Sequence, residues 1–227
     1  MIEFFHWVCS PTDRFTEDHL RENPSQNHSY GFVKGENAIL IDPAWQASVY
    51  TKELKAKGVK NLVVLLTHRH KDHCESVKEL EQNWNCSVFL SQLESDFYNW
   101  LPENPVLLKT EDKALEVMGF QIKVYHTPGH TKGGLCFEVD GKLFTGDTLF
   151  IEQSGVCFCK GGSVKELFES FQKLKKVIAP KTLVFPGHEY RFKVGQTFSE
   201  VLKINRFFDK SSEEFCKLRE RLDQRFL

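Results

Sequence analysis

The sequence lacks the features that mark secreted and membrane proteins. Its start, MIEFFHWVCS, has neither the basic beginning nor the long apolar stretch of a signal peptide. No apolar run approaches the ~18 residues that a membrane-spanning helix needs. Internal repeats and low-complexity segments are absent as well. These absences predict a soluble, cytoplasmic protein with no membrane partner, and 227 residues are enough to bury a substantial core.

The cysteines do not form the pattern of a disulfide framework. The chain has seven, and an odd number without a secretory leader favours reduced thiols. Cys157 and Cys159 stand too close together for an unstrained disulfide, and two thiols alone do not make a structural zinc site. We predict that most cysteines are small core residues, and that Cys74 is a packed or rim residue rather than a metal ligand.

Charge is nearly balanced overall but is unevenly distributed along the chain. The net charge is −1, yet residues 156–227 contain 15 Lys and Arg against 9 Asp and Glu, a balance of +6. Solvated helix faces are the ordinary place for such charge, and neither a basic groove nor an extra domain for nucleic acid is evident. An acidic protein partner is the alternative use of this basic segment.

Strand and helix patterns alternate along the chain. The apolar run NLVVLL, at residues 61–66, is typical of a strand buried on both faces. A helix is expected near residues 46–57, with Gly58 at its end. Asp140-Gly141 predicts the turn of a hairpin between two later strands.

A longer helix is expected after Ser163. Apolar residues recur there at helical spacing, and Ser163 with Glu166 predicts a capping box. After the strand TLVFPG, the chain is predicted to be helical to its C-terminus. This pattern indicates sheets covered by helices, an α/β or α+β sandwich. No linker is apparent, so we predict a single domain over residues 1–227, with a core of about 27–190 and a helical tail over 197–227.

Four potential metal ligands stand directly after the apolar run. They are His68, His70, Asp72 and His73, in the stretch THRHKDH. Ligand sites collect where strands end at one edge of a sheet. In extended or turning backbone, the first two histidines point the same way, while Asp72 and His73 can turn towards a neighbouring point. Adjacent ligand sets of this kind suit two metals ~3.5–4 Å apart.

Three further potential metal ligands stand at the ends of other predicted strands. His130 lies in TPGHT, Asp147 in FTGDTLF and His188 in FPGHEY, and in each case a preceding glycine lets the backbone bend tightly. Imidazole and carboxylate ligands without cysteine suit zinc, iron or manganese. His126, in YHTPGH, is interpreted as a core residue or as the support of a ligand.

The motifs THRHKDH, TPGHT, GDTLF and PGHEY resemble, in order and spacing, those of the metallo-β-lactamase superfamily. The resemblance covers about residues 27–190. It implies an αββα sandwich with two zinc ions, or iron or manganese, at one edge, and a catalytic role for Asp72 in orienting the nucleophile. The ligand sets that it implies are His68, His70 and His130 for the first metal, Asp72, His73 and His188 for the second, and Asp147 as the bridge.

Within this superfamily, His73, GDTLF and GHEY are similar to glyoxalase II, the hydroxyacylglutathione hydrolase. That likeness implies that Tyr190 contacts the thiol carrier of the substrate. It also places a basic glutathione-binding residue where Val156 stands, with Lys160 close by but out of register. The stretch HCES, in place of the usual His-x-Gly-Gly, is similar to zinc-dependent hydrolases of bacterial polyketide biosynthesis. This second likeness implies an acyl group on the phosphopantetheine arm of an acidic acyl carrier protein.

The chemistry of the leaving group favours a thioester substrate. Two metals lower the pKa of a shared water from about 15.7 towards ~7, and a leaving thiol with a pKa near ~8.5 needs little help from a general acid. We therefore predict hydrolysis of a thioester, either an acyl group on a carrier protein or S-lactoylglutathione. The protein is expected to be a monomer or a homodimer. An iron-dependent persulfide dioxygenase is the alternative from another reaction class. That family shares the fold but generally leaves the second metal site unused.

Overall fold

Two β-sheets pack face to face, and helices cover both outer faces. The structure, a computed structural model, describes residues 1–9, 26–44 and 46–224. Three apolar clusters fill the space between the layers: one between the two sheets and one beneath each helical layer. The four layers confirm the predicted αββα sandwich. None of the helices in the described part of the chain is long and apolar enough to cross a membrane.

The first sheet begins with an antiparallel unit and continues in parallel. Its strands are β1 Glu3–Cys9, β2 Gln26–Lys34, β3 Asn37–Ile41, β4 Asn61–Leu65, β5 Ser87–Ser91, β6 Pro105–Leu108 and β12 His188–Glu189. The first six lie in chain order, and β12 pairs with β2. Strands β3 to β6 run parallel, so β3 and β4 end at the same edge. Every residue of β4 after Asn61 is buried, as a strand covered on both faces requires.

The second sheet is antiparallel except for one pair. Its strands are β7 Ala114–Val117, β8 Phe120–His126, β9 Leu135–Val139, β10 Lys142–Gly146, β11 Leu183–Pro186 and β13 Gln196–Thr197. They lie in the order β13-β11-β10-β9-β8-β7, and only β10 and β11 run parallel. The predicted hairpin joins β9 to β10, with φ of 48° at Asp140 and 70° at Gly141. Both values suit the tight turn for which Asp-Gly is favoured.

Each helical layer belongs to one sheet. The helices are α1 Ala47–Ala56, α2 Lys71–Cys74, α3 Val77–Trp84, α4 Gln92–Tyr98, α5 Val164–Val177, α6 Phe198–Ile204 and α7 Ser212–Asp223. Leu54 of α1 and Leu80 of α3 pack on the outer face of the first sheet. Phe171 of α5, Phe198 of α6 and Phe215 of α7 form the cluster that covers the second.

Two local predictions need correction. Ser163 does cap α5, since its side chain accepts a hydrogen bond from the Glu166 N–H. The carboxylate of Glu166 pairs with Lys132 instead, and the Ser163 N–H donates to the carbonyl of Gly129. Only half of the capping box therefore forms.

The prediction of continuous helix after TLVFPG was wrong. Strands β12 and β13 follow first, and residues 205–211 then separate α6 from α7. Asn205 explains the break, because its side chain donates to the carbonyls of Phe150 and Gln153 and holds the chain in a non-helical path. Residues 225–227 of the predicted tail lie outside the described residues.

A matched pair of glycine substitutions tests how closely the two sheets approach at their shared edge. Gly146 (φ 47°) and Gly35 (φ 61°) are both in the left-handed region, but a Cβ on Gly146 would lie 2.2 Å from Oγ1 of Thr67, while one on Gly35 meets nothing within 4 Å. Gly35→Ala should cost only the backbone term, about 1–2 kcal/mol. Gly146→Ala should cost about 1–3 kcal/mol more through overpacking.

Urea unfolding of both variants in EDTA, which removes any effect of bound metal, measures this difference. Equal losses of unfolding free energy would contradict the close approach of β10 to Thr67.

Candidate metal centre

Seven imidazole and carboxylate side chains converge where the two sheets meet at one edge. Four follow β4 of the first sheet, two follow strands β8 and β10 of the second, and one lies on β12. In chain order they are His68, His70, Asp72, His73, His130, Asp147 and His188. The structure thus brings together all seven residues that the sequence predicts as ligands.

The first group contains His68, His70 and His130. One nitrogen from each lies within 4.8 Å of the others, and Nε2 of His130 is 3.0 Å from Nδ1 of His70. Among the described residues, Nε2 of His68 is buried without a hydrogen-bond partner. A buried polar nitrogen without a partner is costly unless something else binds it.

The second group contains Asp72, His73 and His188. Oδ2 of Asp72 lies 3.4 Å from Nε2 of His188 and 3.8 Å from Nε2 of His73. The Asp72 carboxylate is one-third exposed, whereas the two histidines are buried. This group is therefore open to solvent on the side of Asp72.

Asp147 lies between the two groups. Its Oδ1 is 3.3 Å from Nε2 of His73, and its Oδ2 is 3.4 Å from Nε2 of His188 and 3.6 Å from Nε2 of His130. One carboxylate thus contacts ligand atoms of both groups, which is the position that a bridging ligand needs.

These spacings fit metal ions. Two ligand atoms that each lie ~2.1 Å from a tetrahedral zinc are about 3.4 Å apart, close to the separations of 3.0–3.8 Å between neighbouring ligand atoms here. Nitrogen and carboxylate donors suit zinc and also iron or manganese. The unpaired Nε2 of His68 points to the same conclusion. Both groups are therefore candidate metal-binding clusters.

Asp42, which the sequence analysis did not identify, supports both groups. One of its oxygens accepts from the Thr67 N–H at 2.8 Å, and the other contacts Thr67 Oγ1 at 2.6 Å and Nδ1 of His73 at 2.9 Å. Thr67 Oγ1 in turn lies 3.0 Å from Nδ1 of His68. Because Asp42 is engaged by these partners, it acts as a support and not as a ligand of a third metal. Its position directly after β3, beside β4, was the signal that could have revealed it.

Hydrogen bonds determine which ring nitrogen of His73 and of His130 faces the site. Asp42 accepts from Nδ1 of His73, and the carbonyl of Val156 accepts from Nδ1 of His130 at 2.7 Å. Each of these two Nδ1 atoms therefore carries a proton, and Nε2 of the same ring is left to face the site. Hydrogen bonds of this kind orient metal-binding imidazoles and raise their basicity.

Glu94, on α4, joins two of the ligand loops. Its carboxylate accepts from the N–H of Arg69 at 3.0 Å and from the N–H of Gly133 at 2.8 Å. Burial raises the pKa of this carboxyl, although the backbone donors oppose the shift. Glu94 thus holds the loop of the first histidines against the loop that carries His130. Nothing in the local sequence distinguishes it from other helical glutamates.

The two groups differ in their proton affinity. Burial lowers the pKa of His68 and His130, and lowers that of His70 to about 4. Burial also disfavours the charged form of His73 and His188, but Asp147 and the other nearby carboxylates outweigh it, and the pKa of both lies well above the usual value. A metal that binds the second group therefore displaces protons, so its affinity rises with pH.

Of the two residues predicted to contact substrate, Tyr190 is connected to the ligand His188 through the ring of Phe150. Its exposed ring is 5.2 Å from Phe150, whose ring is 5.8 Å from His188. Lys160 follows the loop after Asp147, but its ammonium lies over the ring of Phe97 at 5.6 Å. A role for either in substrate binding stays a prediction.

The remaining singled-out residues lie outside both groups. Cys74 is half-buried, its thiol donates to the carbonyl of Arg69, and burial raises its pKa to about 12. Cys157 is buried and Cys159 half-buried, both as free thiols. His126 ends β8 in a buried position. Cys74 therefore has the packed, unreactive character that the sequence predicts.

Replacement of Asp42 tests its support of the metal centre. Asp42→Ala removes the acceptor that orients His73, so zinc affinity should fall by about 10–100-fold. Asp140→Ala is the matched control, because Asp140 has the same φ of 48° but is exposed in the β9–β10 turn. Competition with a zinc-binding dye measures both affinities. An Asp42→Ala protein that binds zinc as tightly as the control would refute this role.

Comparison with known proteins identifies the family of this chain. The model of the metallo-beta-lactamase superfamily matches residues 23–188. The probable polyketide biosynthesis zinc-dependent hydrolase BaeB of Bacillus velezensis is 36% identical over 193 residues, 85% of each chain. The hydroxyacylglutathione hydrolase of Pelagibacter ubique is 36% identical over 168 residues, 72% of this chain and 67% of that one.

A solved structure agrees with these sequence matches. ETHE1 from Myxococcus xanthus superposes with a TM-score of 0.77 at 25% identity, over 87% of this chain and 86% of its own. This chain belongs to the metallo-beta-lactamase superfamily and is a metal-dependent hydrolase.

Proposed function

We propose that this protein is a dinuclear zinc hydrolase of acyl thioesters, and that the thiol of its substrate is the phosphopantetheine arm of an acidic acyl carrier protein in biosynthesis. Two complete ligand groups, joined through Asp147, support the dinuclear part of the proposal. The name of the relative from Bacillus velezensis, a probable polyketide biosynthesis hydrolase, supports the biosynthetic part.

The residues of the site have distinct tasks in such a reaction. When bound, two zinc ions supply Lewis acidity that makes water a nucleophile at neutral pH and stabilises charge on the carbonyl oxygen. Asp72 holds and orients the water through its partly exposed carboxylate. Asp42 and the carbonyl of Val156 keep His73 and His130 in their ligand tautomers. The leaving thiol, with a pKa near ~8.5, departs as thiolate without a dedicated acid.

The loop after Asp147 favours a carrier protein over glutathione as the thiol of the substrate. Glyoxalase II has a basic, glutathione-binding residue where this chain has Val156, and the carbonyl of Val156 is bound to His130. The nearby Lys160 lies on Phe97. The excess of +6 in residues 156–227 instead suits an acidic carrier protein.

Glyoxalase II activity is the second candidate. Tyr190 stands near the ligands, as the likeness to glyoxalase II implies, and the relative from Pelagibacter ubique is named for this reaction. A persulfide dioxygenase is less well supported, because that family leaves the second site unused while all three residues of the second group converge here.

A side-by-side hydrolysis assay tests the substrate. Zinc-loaded protein is offered an acylated carrier protein, S-lactoylglutathione and acetyl-coenzyme A at equal concentration. We expect the carrier thioester to react fastest, and its advantage to shrink at high salt because exposed charges are screened. Asp72→Ala should reduce the rate by about 100-fold or more through loss of positioning. Asp140→Ala, which changes an exposed carboxylate outside residues 156–227, should leave the rate unchanged.

Three outcomes would contradict the proposal. Rapid turnover of S-lactoylglutathione with the carrier thioester untouched would make the protein a glyoxalase II. One iron per chain, with oxygen consumed on a persulfide substrate, would indicate the dioxygenase. An Asp72→Ala protein as active as the Asp140→Ala control would remove Asp72 from the mechanism.

A further inference from the structure

The loop of residues 154–157 contacts His130 of the first group and the bridging residue Asp147. The carbonyl of Val156 accepts from Nδ1 of His130 at 2.7 Å, and the Gly155 N–H donates to the carbonyl of Asp147 at 2.9 Å. A Cβ on Gly155 would lie 2.0 Å from that carbonyl oxygen and 3.0 Å from Nδ1 of His130. A small displacement of this loop therefore changes the orientation of His130.

Two charged residues of α7 hold this loop in place. Asp223 accepts from the Cys157 N–H at 3.2 Å, and Nη1 of Arg219 donates to the carbonyl of Ser154 at 2.9 Å. Arg219 and Asp223 pair with each other at 3.0 Å. The two residues are 2% and 6% exposed, respectively. They bind the backbone on both sides of Val156, 65 or more positions earlier in the chain.

Packing alone does not account for this pair. Charges taken out of water are costly, and an apolar pair of similar volume is often as stabilising or more so. Attaching α7 to the second sheet would need only apolar contacts, which Phe215 already supplies. What an Arg–Asp pair adds here is hydrogen bonding to two backbone groups of the loop, at defined distances and directions.

We propose that Arg219 and Asp223 are positioning residues of the metal centre. By holding the backbone on both sides of Val156, they press its carbonyl against Nδ1 of His130 and keep Nε2 aimed at the first metal. The C-terminal helix, far along the sequence from every ligand, thereby sets the zinc affinity of the first group. The inference rests on the metal centre and is independent of which thioester is cleaved.

Two double variants separate this role from general packing. Arg219→Met/Asp223→Leu and Arg219→Met/Asp223→Asn both remove the buried charges. Only the asparagine variant keeps a carbonyl acceptor for the Cys157 N–H. Glu213→Gln/Lys217→Met breaks an exposed pair on the same helix and serves as the control. The measurements are zinc affinity by dye competition, the absorption spectrum of the cobalt-substituted protein, and thermal unfolding without metal.

We expect the leucine variant to lose about 10–100-fold in zinc affinity at the first site and to change its cobalt spectrum. The asparagine variant keeps an acceptor for the Cys157 N–H but loses the contact to Ser154, so its zinc affinity should lie between those of the leucine variant and the parent protein. The Glu213/Lys217 control should match the parent protein. Metal-free leucine and asparagine variants should unfold at similar temperatures.

Unchanged zinc affinity and cobalt spectrum in the leucine variant would overturn the proposal. Equal losses in both double variants would do so too, because they would indicate general loosening. If the leucine variant does not fold, Arg219→Lys is the deciding variant. It keeps the charge but has one ammonium nitrogen in place of the two guanidinium nitrogens that contact Ser154 and Asp223, so parental zinc affinity would refute the role. Since no substrate is used, these results stand apart from the thioester assay.

Discussion

The metal centre depends first on the buried carboxylate of Asp42. It binds Thr67 through backbone and side chain, orients His73 directly, and reaches His68 through the Thr67 hydroxyl. Without it, the turn after β4 would lose the acceptor that determines its path, and ligands in both groups would lose their orientation. Because β3 and β4 are parallel neighbours, the carboxylate at the end of one strand faces the histidines at the end of the next.

The metal centre also depends on the balance of charge among its buried ligands. Imidazoles and carboxylates lie together in the buried edge of the sandwich, where unpaired polar atoms are costly. Protons on His73 and His188 compensate Asp147 and Asp72 when no metal is bound. A bound metal would replace those protons, and a metal in the first group would give Nε2 of His68 a partner. Folding and metal binding are thus linked, and this linkage depends on pH.

The ligands were predictable from sequence because each stands on a strand end beside a glycine or follows a long buried run. The contacts of the supporting residues were not. The place of Asp42 at the end of β3 was visible in the sequence, but its hydrogen bonds to Thr67 and His73 were not. Glu94 resembles any other helical glutamate, and Val156 acts through a carbonyl that every residue possesses. Glu166 does not complete the predicted capping box because its carboxylate pairs with Lys132, which the fold brings near. Such contacts arise only when distant segments meet, so local patterns carry no trace of them.

His188 stands on a segment that belongs to both sheets. The chain leaves β11 in the second sheet, turns at Gly187, and within two residues pairs with β2 in the first. A Cβ on Gly187 would lie 2.5 Å from His73 and 2.6 Å from Asp147, so the crossing occurs in contact with the ligands. The two sheets consequently cannot slide past one another without disrupting the pairing of β12 with β2. The crossing therefore holds His188, which pairs with the first sheet, beside Asp147, which follows a strand of the second.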